Sequence, residues 1–295
     1  MKRYFTVLAG MLLAFTSSRA QQAPPPEIKE DQRSLLWKIT GKDMKAPSYL
    51  FGTIHLLCQK DYVWTPVMKK SLRSCKEVCF EMDMDDPSVM MEVATGMIDR
   101  SGKSLKEYFT EEDYKIVKAF VTDSLGMSIE MFQQMKPAAL QTLFSTKAVS
   151  CSTPVSYETN ILEEARKYKM EVTGLEEARE QLELFDRLPQ DSVIKELVSL
   201  AKDYSGEAAE YRRMLRAYKR QDLPLLAQII DSARTVTDDL NAFLDDRNIK
   251  WIGRMEERMD QKPVFFAVGA GHLLGEKGLI TLLREAGYVI VPVKK

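Results

Sequence analysis

The chain contains two histidines, and both sit in the same local pattern. His272 follows Val264–Val268, an apolar run with the character of a buried strand, by way of Gly269-Ala-Gly271. His55 follows Ser48–Phe51 by way of Gly52-Thr-Ile54, and each histidine precedes a Leu-Leu pair. Strand, Gly-x-x-His, Leu-Leu thus occurs twice, 217 residues apart. The glycines permit tight turning and close backbone approach at each strand end. Two imidazoles carried in the same way read as one site built from two halves. That constrains the fold, because whatever lies between must bring residues 55 and 272 together.

The pattern along the chain agrees. Leu35–Thr40 and Ser48–Phe51 are strand-like, joined by Gly41–Pro47 as a hairpin connection. Thr65 and Pro66 open a helix that runs to Ser74, and Glu77–Met82 is the next strand. From Ser88 to Lys169 the pattern is helical, with a cap at Thr110 and Asp113 and a stop at Gly126. Lys169–Gly174 is a short strand. Residues 175–259 are helical again, broken at Pro189, near Gly206 and at Pro224. Val264–Val268, a helix Leu279–Glu285 ended by Gly287, and Tyr288–Val293 close the chain as a βαβ-like unit. We expect an α/β (α+β) fold: a mixed sheet from two reduced βα halves at the chain ends, with a large helical insertion between them. His55 and His272 then lie at neighbouring strand ends, where open α/β sheets place their sites.

The N-terminus reads as a processing signal. Lys2 and Arg3 precede the apolar run Tyr4–Phe15, and Ser18-Arg-Ala20 fits a small-x-small cleavage site. We expect residues 1–20 to be a signal peptide, 21–32 a flexible Pro-rich lead-in and 33–295 a single domain in an exported protein, periplasmic or extracellular. Cleavage removes three basic residues and no acidic one, taking the formal charge from −1 to about −4. That argues against nucleic acid as a partner. No later stretch reaches membrane-spanning length. Cys58, Cys75, Cys79 and Cys151 lack zinc-ligand spacing; export permits disulfides, and buried free thiols are the alternative.

Imidazole is the commonest side-chain metal ligand, and two of them need a carboxylate to complete a catalytic site with an open position. Glu81, ending its strand, is the first candidate. Asp83 and Asp85 follow at spacing two and would share its side of an extended chain, but an acidic loop that solvates the strand end accounts for them and for Asp86. Glu176, at the strand-to-helix change after Gly174, is the second candidate, and its neighbour Glu177 reads as an exposed first-turn acid. His-Glu-x-x-His and Gly-x-Ser-x-Gly are absent. Gly269-Ala-Gly271 followed by Gly275 approaches a dinucleotide fingerprint, but its last gap is one residue too long. The sixteen methionines read as core filler.

Taken together, Tyr49-Leu-Phe-Gly-Thr-Ile-His55, Phe80-Glu81, Gly174-Leu-Glu-Glu-Ala-Arg-Glu-Gln181, Asp246-Arg-Asn-Ile-Lys-Trp-Ile252 and Phe265-Phe-Ala-Val-Gly-Ala-Gly-His-Leu-Leu-Gly275 resemble the TraB/GumN family, related to the Tiki metalloproteases. The resemblance implies a divalent-metal site on His55, His272 and Glu81, with a functional arginine at Arg247. For the animal relatives it implies peptide-bond hydrolysis. We therefore expect a metal-dependent hydrolase, a peptidase acting on a peptide or protein substrate with Mn2+, Co2+ or Zn2+. Glu81, Glu176 and Arg247 are its candidate catalytic residues. The alternative is a non-catalytic protein that binds a peptide or small ligand in the same pocket.

Overall fold

The computed structural model of the chain describes residues 33–234 and 241–294; the signal and lead-in segments expected at 1–20 and 21–32 lie outside the described residues. The order of elements is β1 (Leu36–Thr40), β2 (Ser48–Thr53), β3 (Leu57–Cys58), α1 (Pro66–Arg73), β4 (Glu77–Phe80), α2 (Pro87–Gly96), α3 (Glu111–Ala119) and α4 (Pro137–Ser145). There follow β5 (Pro154–Val155), α5 (Tyr157–Lys167), β6 (Glu171–Gly174), α6 (Ala178–Asp186), α7 (Gln190–Lys202), α8 (Ser205–Lys219) and α9 (Leu223–Arg234). The chain closes with α10 (Asp246–Gln261), β7 (Val264–Gly269), α11 (Leu279–Glu285) and β8 (Val289–Pro292).

Six strands form one mixed sheet in the order β6-β4-β7-β2-β1-β8. β7 is parallel to both β4 and β2, with Phe80 opposite Ala267 and Thr53 opposite Gly269. β1 pairs antiparallel with β2 and with β8. The expected α/β fold with a mixed sheet from both chain ends is therefore present. The closing βαβ unit differs in one respect. β7 and β8 run parallel, but β2 and β1 lie between them, because the hairpin takes the edge of β7 that an adjacent crossover would need. α11 also begins ten residues after the end of β7, behind a 3-10 turn at Ala270–Leu273, so the glycines do not open a helix as a dinucleotide fingerprint requires.

Burial follows the sequence pattern. All six residues of β7 are buried, as a central strand covered on both faces demands. α1 begins where Thr65 Oγ1 accepts from Met68 N at 3.3 Å with Pro66 in the first turn, and it turns Met68 and Leu72 inward. The main core joins the sheet to α1, α5, α8, α10 and α11 through Phe51, Tyr157, Tyr218, Trp251 and Phe265. A second core in the helical insertion packs α3, α4 and α7 about Phe120, Phe144 and Leu197. One pairing escaped the sequence reading: β3 and β5 form a separate two-stranded ladder in which Cys58 stands opposite Pro154. Next to it Cys58 is disulfide-bonded to Cys151, with Cα atoms 5.8 Å apart, while Cys75 and Cys79 are free and buried.

Candidate functional site

The parallel pairing of β2 with β7 sets Gly52 opposite Val268 and Thr53 opposite Gly269. Both Gly-x-x-His turns thus leave the same edge of the sheet side by side. β4, on the other side of β7, ends at Phe80, so Glu81 emerges there too. The three groups meet around Gly269. A Cβ built on that glycine would lie 3.2 Å from Glu81 Oε1, 3.6 Å from His55 Nε2 and 3.7 Å from His272 Cδ2. The small residue keeps open the space the three side chains face.

Each histidine is held by its far nitrogen. His55 Nδ1 lies 2.8 Å from Glu158 Oε1, and that carboxylate also accepts from Thr53 Oγ1 at 2.6 Å and Ser156 Oγ at 2.7 Å. His272 Nδ1 lies 2.7 Å from Asn248 Oδ1. Asn248 Nδ2 donates to the carbonyls of His272 (3.2 Å) and Lys277 (2.9 Å), which fixes its amide with the oxygen toward the imidazole. His272 therefore donates from Nδ1 and keeps its lone pair on Nε2. Hydrogen bonding of one ring nitrogen to fix the tautomer of the other is the usual outer support of a metal-ligating histidine.

Arg247 is the buried cation of the site. Its Nε and Nη2 fork onto Glu176 Oε1 at 3.0 and 2.5 Å, Nη2 donates to Glu81 Oε2 at 2.7 Å, and Nη1 donates to the Phe243 carbonyl at 3.0 Å and faces His272 Nε2 at 3.1 Å. Trp251 Nε1 donates to Glu176 Oε2 at 3.0 Å, and its ring lies under both Arg247 and His272. Both oxygens of Glu176 thus accept from Arg247, and one also from Trp251. Its contacts orient Arg247 and Trp251. Glu81 accepts from Gly269 N at 2.8 Å and from Gln181 Nε2 at 3.3 Å besides Arg247. The acidic loop behind it stays apart: Asp83 folds back to accept from Asp85 N, Asp85 pairs with Arg166, and Asp86 caps α2. Glu177 caps α6 with Glu180.

These contacts set the charges. Burial opposes the charge on Glu81, but Arg247, aided by both histidines and the Gly269 N–H, outweighs it and holds the carboxyl well below the usual range. Burial pushes His272 down to about 3, so it is neutral. Burial also disfavours the His55 imidazolium, yet Glu158 overcomes it and pushes His55 up to about 9, while Glu158 itself, buried but paired, falls to about 2.

The donor set suits a divalent ion: two imidazoles with supported Nδ1 atoms and a carboxylate, around a space a methyl group would fill. The spacing is not that of a ready-made centre, and among the described residues no three His, Cys, Asp or Glu side chains form a metal-holding group. Arg247 supplies the reason, since its guanidinium neutralises Glu81 and fills the lone-pair direction of His272. The sequence reading singled out His55, Glu81, Glu176, Arg247 and His272, and the fold brings all five together. It missed Glu158, Asn248 and Trp251. A signal for Glu158 did exist: it shares a helix face with Ile161, Leu162 and Ala165, where a lone acid is conspicuous.

A mixed α/β sheet whose two Gly-x-x-His turns share one edge with a glutamate and a buried arginine defines the class. The chain belongs to the TraB/PrgY/gumN family, whose model it matches over residues 35–292. Among curated proteins it is similar to Metalloprotease TIKI2 of Danio rerio, at 20% identity over 93% of this chain and 64% of that protein. It is also similar to Metalloprotease TIKI2 of Xenopus tropicalis, at 22% identity over 90% and 61%, and to Metalloprotease TIKI1 of Homo sapiens, at 22% over 90% and 63%. The chain spans less than two thirds of the length of these relatives. No solved structure matches it.

Proposed function

We propose that this protein is an exported metal-dependent hydrolase that cleaves peptide bonds, with His55 Nε2, His272 Nε2 and Glu81 as the metal ligands. The reading rests above all on the convergence of those three groups around Gly269, and the names of the relatives agree with it. Bound there, Mn2+, Co2+ or Zn2+ would lower the pKa of water and polarise a carbonyl. Hydrolysis places the hydroxyl of one water on the carbonyl carbon, where it completes the new acid, and the water's other proton on the leaving amine. Glu158 and Asn248 hold the imidazoles with Nε2 toward the substrate space. Glu176 and Trp251 position Arg247, whose Nη1 is a buried donor suited to developing oxyanion charge. His272 Nε2 has one lone pair, so it ligates only when it ceases to accept from Arg247, and His55, pushed up to about 9 beside Glu158, ligates through Nε2 only after giving up its proton. Residues 33–295 act as one domain in this reading, because β7 and β8 complete a sheet begun by β1 and β2.

Export agrees with the Cys58–Cys151 disulfide, which belongs in an oxidising compartment. Among the described residues no helix is long and apolar enough to cross a membrane. The lodging of Arg247 against His272 favours one second reading, a peptide-binding protein without turnover. Protein purified without chelator, analysed for metals and assayed on a peptide library with Mn2+, Co2+ and Zn2+, decides between them. We expect metal-dependent cleavage that His55→Ala and His272→Ala each abolish. Unchanged metal binding in either variant would end the shared-site reading, and bound metal without cleavage would leave the binding protein.

A further inference from the structure

The candidate site opens onto a cleft of about 720 Å3, within the range of roughly 300–1,000 Å3 for pockets that enclose small ligands. His55, Glu81, Glu158 and Gln181 line one part of it, and seven of the sixteen methionines line the rest. Met68, Met255 and Met259 are core filler as expected and Met97 is buried in a small third cluster, but Met91 and Met131 are exposed. Of the seven large apolar side chains that the described residues leave exposed, three, Met91, Ile98 and Met131, belong to this cleft. Its walls are α2 and the turn around residues 129–135, tied together by the bridge of Ile98 with Met135 and by Lys136 N donating to the Met97 carbonyl at 2.9 Å. The cleft is therefore formed by backbone pairing as well as by side chains.

We infer that this cleft is the substrate groove, and that it takes a segment of extended peptide bearing bulky apolar side chains such as Leu, Met or Phe next to the reacting bond. The inference rests on the hydrolase reading for the bond that is cut, but not for the segment that is bound. Three observations define the occupant. Among the described residues the lining contains no Lys or Arg, and its one cation, His55, is already paired with Glu158 at 2.8 Å and lies beside Glu81, so phosphates, nucleotides and fatty carboxylates find no free counter-charge. The methionines offer flexible, polarisable surface, which adapts to side chains of different shape and gives breadth within the apolar class. Gln134, Ser156, Thr159 and Gln181 also line the cleft. A peptide backbone can hydrogen-bond with such groups, whereas a hydrocarbon chain would strand them.

The test uses the full mature protein and labelled hexapeptides that carry Leu, Met, Phe, Ala or Asp at one central position. Binding is read by anisotropy in EDTA, where turnover is stopped, and cleavage is read separately with metal restored. Met91 and Met131 are 65% and 68% exposed, so Met91→Glu and Met131→Glu alter the cleft without disturbing a core. Val289→Glu, at an exposed apolar position on the far edge strand, controls for added charge. We expect the Leu, Met and Phe peptides to bind about tenfold tighter than Ala or Asp, as burial of one large side chain predicts. The double Met variant should lose that preference and the control should keep it. A flat profile, a preference that survives both Met substitutions, or tighter binding of dodecanoate than of any peptide would overturn the proposal. Retained preference with no cleavage under any metal would overturn the hydrolase reading while supporting the groove.

Discussion

Replacing Arg247 with methionine keeps the length of the side chain and removes its charge. In the wild-type protein Arg247 is 9% exposed, and its guanidinium serves Glu176, Glu81 and the Phe243 carbonyl at once. Removing one partner of a buried ion pair costs about 3–5 kcal/mol, because the remaining charge stays buried without compensation. Here two carboxylates remain, so we expect Arg247→Met to lose about 5 kcal/mol at pH 8, the top of that range. The pH dependence carries a sign. Glu81 is held below its unfolded value of about 4.3, so in the wild type its contribution is present above that pH and lost as pH falls through the folded value. Without Arg247 burial dominates and the folded value rises above the unfolded one. The variant then gains stability as pH falls toward 5, and its deficit should shrink by about 1 kcal/mol or more. Urea unfolding at pH 8 and pH 5 measures both quantities, provided m is unchanged. Adding Glu176→Gln removes one of the stranded charges, so the double variant should recover about 1–3 kcal/mol relative to additivity. A loss below about 1 kcal/mol, equal at both pH values and additive with Glu176→Gln, would show Arg247 to be a surface-type ion pair.

In metal-free protein, NMR should show His55 titrating near 9 and His272 neutral down to about 3. The His55 contribution to stability is then full below about 6.5 and lost as pH rises through its folded value, and Glu158→Gln should return that value toward 6.5. Reducing the Cys58–Cys151 bond, which closes a separation of 93 residues, should cost about 4 kcal/mol, read as a fall in urea midpoint. Cys75 and Cys79, both pushed up to about 12 by burial, should stay unreactive to iodoacetamide at pH 8 in the folded protein. Gly174→Ala places a Cβ 2.5 Å from Asp83 N, where only backbone movement relieves the clash. We expect a loss of about 2–3 kcal/mol by thermal melting.

β1, β2, β7 and β8 were legible because each is a short apolar run with a glycine or proline at one end, and the paired histidines because their residue type is scarce. The relation of the two turns followed from the same alternation: both histidines sit three residues past a glycine at a strand end, and parallel pairing makes them neighbours. The outer support was harder to see. Asn248 and Arg247 lie on an amphipathic helix among Asp245, Asp246 and Lys250, and nothing local distinguishes a buried charge from a solvated one. Only the buried neighbours Trp251 and Met255, four and eight positions after Arg247, mark that face as inward. β3 and β5 escaped because two-residue strands carry no period, and Pro154 argues against a strand wherever it is not at an edge. The pairing of Cys58 with Cys151 depends on that ladder and was open for the same reason.

The position of β7 bears on how the protein is made. It is the seventh of eight strands among the described residues, yet it lies between β4 and β2 near the centre of the sheet. Until residue 269 has been synthesised, β2 and β4 have no common neighbour, and the first histidine and the glutamate have nothing to hold them at one edge. A chain still emerging from the ribosome therefore carries the first histidine and the glutamate without the strand that sets them side by side. Such a late, long-range closure is slow, and it leaves two unpaired inner strand edges exposed while it waits. The convergence of the three groups thus comes into being with the last strands, as a property of the finished molecule.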